Sequence, residues 1–116
     1  MRFEDMDVWK KSSRLSVSIY QHFSGLKDFG FRDQITRSSL SIPSNIAEGI
    51  ERKKIKEKTN FLNYSKGSCA ELRTQIFIGM EIGYIPKDTG KTWINETEEI
   101  SSMLKGLMTY LDKLNL

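Results

Sequence analysis

Apolar residues recur along the chain at spacings of three and four in four successive blocks, the signature of amphipathic helices, and strict apolar–polar alternation is scarce. The first block predicts a helix from about Asp5 to Ser24. Val8, Leu15, Ile19, Phe23 and Leu26 form its stripe, Trp9 and Tyr20 lie beside it, and Lys10, Lys11 and Arg14 face away. Asp5 is the expected cap, Asp7 suits the positive end of the helix dipole, and Gly25 is the expected left-handed terminator. The second block predicts a helix from about Phe31 to Gly49 on the stripe Ile35, Ile42 and Ile46, flanked by Leu40 and Ala47. Pro43 removes one backbone donor inside it. Because the stripe keeps its phase from Ile42 to Ile46, a kinked but continuous helix is expected rather than a break.

The third block predicts a helix over about Lys56 to Ile82, with Leu62, Cys69, Leu72, Ile76 and Met80 on one face. Gly83 and Pro86 mark its end, with Tyr84 placed to fold back on the last turn. Gly67, mid-helix, predicts close approach of a neighbouring backbone, because glycine there otherwise costs about 1 kcal/mol against alanine. The fourth block, about Asp88 to Leu114, carries the stripe Trp93, Ile100, Leu104, Leu107, Leu111 and Leu114, widened by Ile94, Met103 and Met108 to a core-facing width. Four amphipathic helices with short connections predict an all-α, antiparallel up-down four-helix bundle in one domain over residues 1–116.

Composition narrows the classes further. The 116 residues carry 18 Lys plus Arg and 15 Asp plus Glu. The excess is local: residues 1–60 hold 12 basic and 8 acidic side chains, and residues 61–116 hold 6 and 7. One cysteine, Cys69, excludes an internal disulfide framework, and one histidine, His22, leaves no zinc-ligand spacing. No Glu-x-x-His motif, phosphate-binding glycine loop or dinucleotide fingerprint occurs. His22 reads as a surface or satisfied side chain, and Glu96, Glu98 and Glu99 as a solvated face. The expectation is therefore a protein without catalysis, cofactor or metal. Apolar runs fall far short of the ~20 residues that span a bilayer, and the first residues lack an apolar signal core, so a cytoplasmic protein without membrane contact is expected.

Two features carry candidate chemistry. Residues 51–58, Glu-Arg-Lys-Lys-Ile-Lys-Glu-Lys, hold five cations and two acids at the junction of helices two and three. Arg52, Lys53, Lys54, Lys56 and Lys58 could contact phosphates without sequence preference, with Lys10, Lys11 and Arg14 of helix one as a second patch. The alternative is a solvated turn that maintains solubility. These cations oppose the dipole of helix three, so they do not optimise that helix. The second feature is the polar stripe Gln34, Arg37, Ser38, Ser41, Asn45 and Glu48 on one face of helix two. A ligand groove and a solvated stripe are open readings. An interface fits better, where small Ser and Asn side chains admit another helix and hydrogen-bond across, which makes Arg37, Ser41, Asn45 and Glu48, with Pro43 and Gly49 of the same segment, candidate subunit-interface residues.

The segments Phe3-Glu4-Asp5-Met6-Asp7-Val8-Trp9-Lys10, Gln34 to Gly49 with its core Ser41-Ile42-Pro43-Ser44-Asn45-Ile46-Ala47-Glu48-Gly49, and Phe61-Leu62, Gly67-Ser68 and Glu71-Leu72 stand in that order. Together they resemble the bacterial four-helix-bundle proteins encoded in intervening sequences of 23S ribosomal RNA genes, over essentially the whole chain. The resemblance implies a homopentameric, barrel-like ring of bundles. Related accessory proteins of diversity-generating retroelements share that fold and are thought to bind nucleic acid and a reverse transcriptase through basic surface. It also implies RNA or DNA and a protein as candidate partners here. Arg37, Pro43, Asn45, Glu48 and Gly49 match the family signature, Ser41 stands in the same segment, and Arg52 and Lys53 match its basic junction. The chain departs at Lys54 and Lys58, where relatives usually place a hydroxyl cap and an aromatic. That departure weakens the expected start of helix three and offers Thr59 as an alternative cap.

Overall fold

The structure, a computed structural model, describes residues 1–114. A 3-10 turn at Phe3–Asp5 leads into α1 (Asp7–His22), followed by α2 (Phe29–Glu51), α3 (Ile55–Glu81) and α4 (Lys87–Leu114). No strand occurs among the described residues. Each helix packs on its neighbour in sequence, and α1 closes the ring of four against α4. Ser16 meets Ser39, Ser41 meets Ser68, Arg73 meets Thr97, and His22 meets Trp93. Residue numbers rise along one helix as they fall along the next, which makes the bundle up-down and antiparallel. It measures 49 × 21 × 20 Å.

The stripes read from the sequence form the core. Leu15, Ile19, Phe23, Ile35, Ile42, Ile46, Leu62, Cys69, Leu72, Ile76, Ile100 and Leu104 are at most 2% exposed. In α4 the ladder is Trp93, Thr97, Ile100, Leu104, Met108 and Leu111. Thr97 takes a place in this ladder because its hydroxyl donates to the Ile94 carbonyl and accepts from Arg73 Nε. Leu107 is only half-buried and Leu114 is exposed, so the strict heptad drifts off the core at the end of the helix, as a 3.6-residue period requires. Burial pushes the Cys69 thiol up to about 11, which keeps it protonated and unreactive.

Several local expectations are corrected. α1 begins at Asp7 with Met6 at its cap, so Asp5 belongs to the preceding 3-10 turn and caps nothing. Gly25 does not take positive φ; Gly83, at φ +85°, is the one described residue that does. There the Tyr84 and Ile85 amides both return to the Gly79 carbonyl, which ends α3 in a left-handed turn. Tyr84 folds back as expected. Its phenol donates to Asp28 Oδ2 at 2.8 Å, and Asp28 Oδ1 caps α2 at the Phe31 amide. These bonds, the phenol's first, hold the Asp28 carboxyl below its usual range and raise the Tyr84 phenol. α2 is longer than expected and runs unbroken through Pro43.

Glycine roles are redistributed. Gly67 is exposed with nothing near it, so no backbone approaches there. Close packing belongs to Gly49, where an added Cβ would lie 3.0 Å from Phe61 Cβ and 3.1 Å from the Lys58 carbonyl oxygen. It belongs also to Gly79 and Gly90, which lie under Ile85 and the Met80 thioether. Gly67→Ala is therefore expected to stabilise the protein by about 1 kcal/mol, read as a higher denaturation midpoint in urea. A lower midpoint would mean that Gly67 serves a contact after all.

Candidate functional site

The turn between α2 and α3 is three residues long, Arg52 to Lys54, and it turns the chain back at one end of the bundle. Gly49 lets the last turn of α2 lie directly against the first turns of α3. This brings the five cations of residues 52–58 together, but they divide by environment. Arg52 is committed to structure: its guanidinium donates to Glu48 Oε1 at 2.7 Å and lies 4.7 Å above the Phe61 ring. Lys58 is committed too, since its ammonium donates to the Ile50 carbonyl at 2.7 Å.

That bond resolves the apparent misplacement of basic charge. Lys58 lies one turn inside the positive end of α3, but its charge lies at the negative end of α2, where carbonyls lack partners. Lys58 is thus a cation that ties the two helices. α3 starts at Ile55 with Lys54 at its cap and no side-chain capping bond. Thr59 is not the cap, and its buried hydroxyl has no protein partner. Lys53, Lys54 and Lys56 remain, exposed and engaged in no ion pair or hydrogen bond among the described residues.

The second basic set is placed elsewhere. α1 neighbours α2 and α4, and α3 lies diagonally across the bundle from it. Lys11 pairs with Glu99 of α4 at 3.2 Å, and Arg14 shares a shallow depression with Lys11 and Glu96. Lys10 is half-buried. The acidic face of α4 therefore offsets Lys11 and Arg14, and the structure does not join the α1 cations to the turn.

The polar stripe of α2 is a seam in its central part. Ser38 Oγ donates to Glu71 Oε1 at 2.8 Å, and the Ser41 and Ser68 hydroxyls lie 2.5 Å apart. Ser65 Oγ donates to the Ile42 carbonyl, and Asn45 Nδ2 returns to the Ser41 carbonyl at 2.8 Å. The helix admitted by these small side chains is α3 of the same chain, so the expected subunit interface at Ser41 is here a contact within the bundle, and Asn45 is engaged by its own helix. Gln34, Arg37 and Glu48 lie outside the seam and are exposed. Pro43 is buried on the opposite side, toward α1, where Trp9, Ser16, Val17, Tyr20, Leu40 and Pro43 line a groove of about 460 Å³. Val17, Tyr20 and Leu40 are 55%, 44% and 48% exposed, so this groove is an apolar surface that the α1 and α2 stripes do not cover. Periodicity alone places Tyr20 and Leu40 beside the core stripe and cannot show that they stand clear of it.

His22 is satisfied, with Nε2 2.9 Å from the Tyr84 carbonyl and its ring edge-on to Phe23 and Trp93. Among the described residues no group of His, Cys, Asp and Glu is arranged to hold a metal ion. No helix among the described residues is long and apolar enough to cross a membrane.

Residues 4–106 match the family model described as 23S rRNA-intervening sequence protein. The fold matches a crystal structure of a protein with unknown function from the S23 ribosomal protein family, from Bacteroides thetaiotaomicron. The TM-score is 0.81 at 26% sequence identity, covering 87% of this chain and 97% of that one. No curated protein matches the chain.

Proposed function

The chain belongs to the 23S rRNA-intervening sequence protein family, and from that premise we propose that it is a non-catalytic, self-associating helical bundle that binds RNA or DNA through the α2–α3 turn. The observation that carries the reading is the division of labour within the turn. Arg52 and Lys58 hold the helices together, while Lys53 and Lys54 on the short connection and Lys56 in the first turn of α3 are exposed and unpaired among the described residues. Cations held in this way contact phosphates at lower entropic cost than the same residues on a disordered tail. The family resemblance favours a homopentamer. A ring would repeat the turn around one rim and multiply the chain's net charge of +3 into a field that steers polyanions. The α1 cations form no part of this site, because α3 lies diagonally across the bundle from α1 and α4 faces Lys11 and Arg14 with carboxylates.

The test titrates labelled structured RNA and duplex DNA over a salt series, with the particle mass measured by light scattering. Affinity is expected to fall steeply with salt. Changing Lys53, Lys54 and Lys56 together to Gln should flatten the log–log slope by about two to three, near one per lost phosphate contact. These side chains are engaged in no bond among the described residues, so the variant should fold as the parent does. Absence of binding by the parent protein at low salt overturns the nucleic-acid reading, and a monomeric mass overturns the self-association.

A second reading rests on the uncovered groove between α1 and α2. An apolar surface of this kind on a soluble bundle marks an interaction site. A particle that assembles but binds no nucleic acid would make the protein a structural or protein-interaction oligomer.

A further inference from the structure

We infer that the nucleic acid taken by this surface is single-stranded, and that Tyr64 of α3 is a platform on which an unpaired base stacks. The inference rests on the basic-turn reading and names its substrate class. Lys56, Asn60 and Tyr64 follow one another at four-residue spacing, so they share one outward strip of α3 that leads away from the turn. At 1.5 Å per residue, Tyr64 lies about 12 Å along the helix from Lys56, within reach of the same short strand.

Tyr64 is 59% exposed, as are to a similar degree Phe29, Phe77 and Tyr110, but it is the one of these rings that lies two turns along α3 from Lys56. It is also held in place. Its ring stands edge-on to Phe61 at 5.6 Å and 86°, and Phe61 in turn lies under the Arg52 guanidinium at 4.7 Å. Arg52 is fixed by Glu48, and Phe61 lies so close to α2 that a Cβ added at Gly49 would be 3.0 Å from the Phe61 Cβ. Arg52, Phe61 and Tyr64 thus make a column rooted in the basic turn that presents one aromatic ring to solvent.

Around that ring the surface is bare and able to hydrogen-bond. Asn60 and Asn63 are exposed amides able to meet base edges, and Gly67, one turn beyond, leaves open space. The acids bordering the strip are Glu57, which is half-buried, and Glu71, which accepts the Ser38 hydroxyl on the α2 side. Glu51 lies across the turn, on the last turn of α2. Cations that hold phosphates, followed by an exposed aromatic, are the parts by which proteins hold single strands. A duplex keeps its base faces stacked and offers Tyr64 nothing.

The test compares a labelled, unstructured pyrimidine oligonucleotide with a hairpin duplex of equal nucleotide count. Four proteins are used: parent, Tyr64→Ala, Tyr64→Phe and the Lys53/Lys54/Lys56→Gln triple variant. The parent should prefer the single strand. Tyr64→Ala should lose about tenfold affinity for the strand with little change for the duplex, and Tyr64→Phe should keep the parent's affinity. If Tyr64→Ala binds the strand as the parent does while the triple variant weakens both probes, the stacking platform is overturned and the basic-turn reading stands. The platform is equally overturned if Tyr64→Ala alters only the particle mass, which would make Tyr64 a subunit contact. If the parent binds neither probe at low salt, both readings fall together.

Discussion

Trp93→Ala is expected to cost about 4 kcal/mol and to lower the melting temperature by roughly 16 °C or more. Trp93 is 5% exposed, near the start of α4. Its ring stands edge-on to His22 at 5.2 Å and lies 6.2 Å from Phe23, so it holds the last turn of α1 against α4. Of the four helix–helix seams, this one is the thinnest. α1 is only 16 residues long, about 24 Å, against about 42 Å for the 28 residues of α4. Removal of the indole opens a cavity at the place where α1 has least else to hold it. It also uncovers the His22 ring, whose Nε2 ties α1 to the Tyr84 carbonyl. Thermal unfolding followed by circular dichroism reads the effect, and Trp93→Phe should recover part of it. A loss below about 1 kcal/mol would show that the seam is held elsewhere.

Gly49→Val is the second large effect, about 3 kcal/mol of destabilisation from overpacking. The first added carbon already meets Phe61 Cβ and the Lys58 carbonyl oxygen, and the latter is backbone that cannot swing aside. The gain in helix propensity on replacing glycine recovers only a few tenths of a kcal/mol. Prying α2 from α3 here would lengthen the Lys58 bond to Ile50 and lift Arg52 from Phe61, so the turn should lose its geometry with its stability. Denaturant unfolding checks the first consequence, and a substitution tolerated within 0.5 kcal/mol (the usual spread for a neutral surface change) would refute the close-packing account. The contrast with Gly67→Ala is informative, since two glycines inside helices should respond with opposite sign.

Much of this fold was legible because its information is periodic. The stripes Leu15–Ile19–Phe23, Ile35–Ile42–Ile46 and Leu62–Cys69–Leu72–Ile76 mark core faces directly, and the order Gly83–Pro86 marks a stop. Features set by a second helix were not legible. Gly49 and Gly67 look alike in sequence, and only the path of α3 separates a forced contact from open solvent. Chain position alone sets Lys58 against the dipole of α3, whereas its ammonium answers to α2. At the candidate site, five cations were evident as a cluster, but their division into two ties and three free charges depends on Glu48, Phe61 and the Ile50 carbonyl. Tyr64 belongs to no motif and to no apolar stripe, so the sequence does not single it out. Its signal was an aromatic at the four-residue spacing that leads outward from Lys56, on the face opposite the apolar stripe.

The order in which the helices touch has a kinetic consequence. Three seams join neighbours in sequence through turns of a few residues, and such local contacts form early because little loop entropy opposes them. The α1–α4 seam is different, because closing it brings His22 to Trp93 across the whole of α2 and α3. Once the α2–α3 and α3–α4 hairpins exist, however, that closure spans a preformed scaffold rather than a free coil. The seam therefore belongs to the late, downhill part of folding. Substitutions in it should speed unfolding more than they slow refolding, and the rate at which α1 lifts away from α4 sets how long the closed bundle survives.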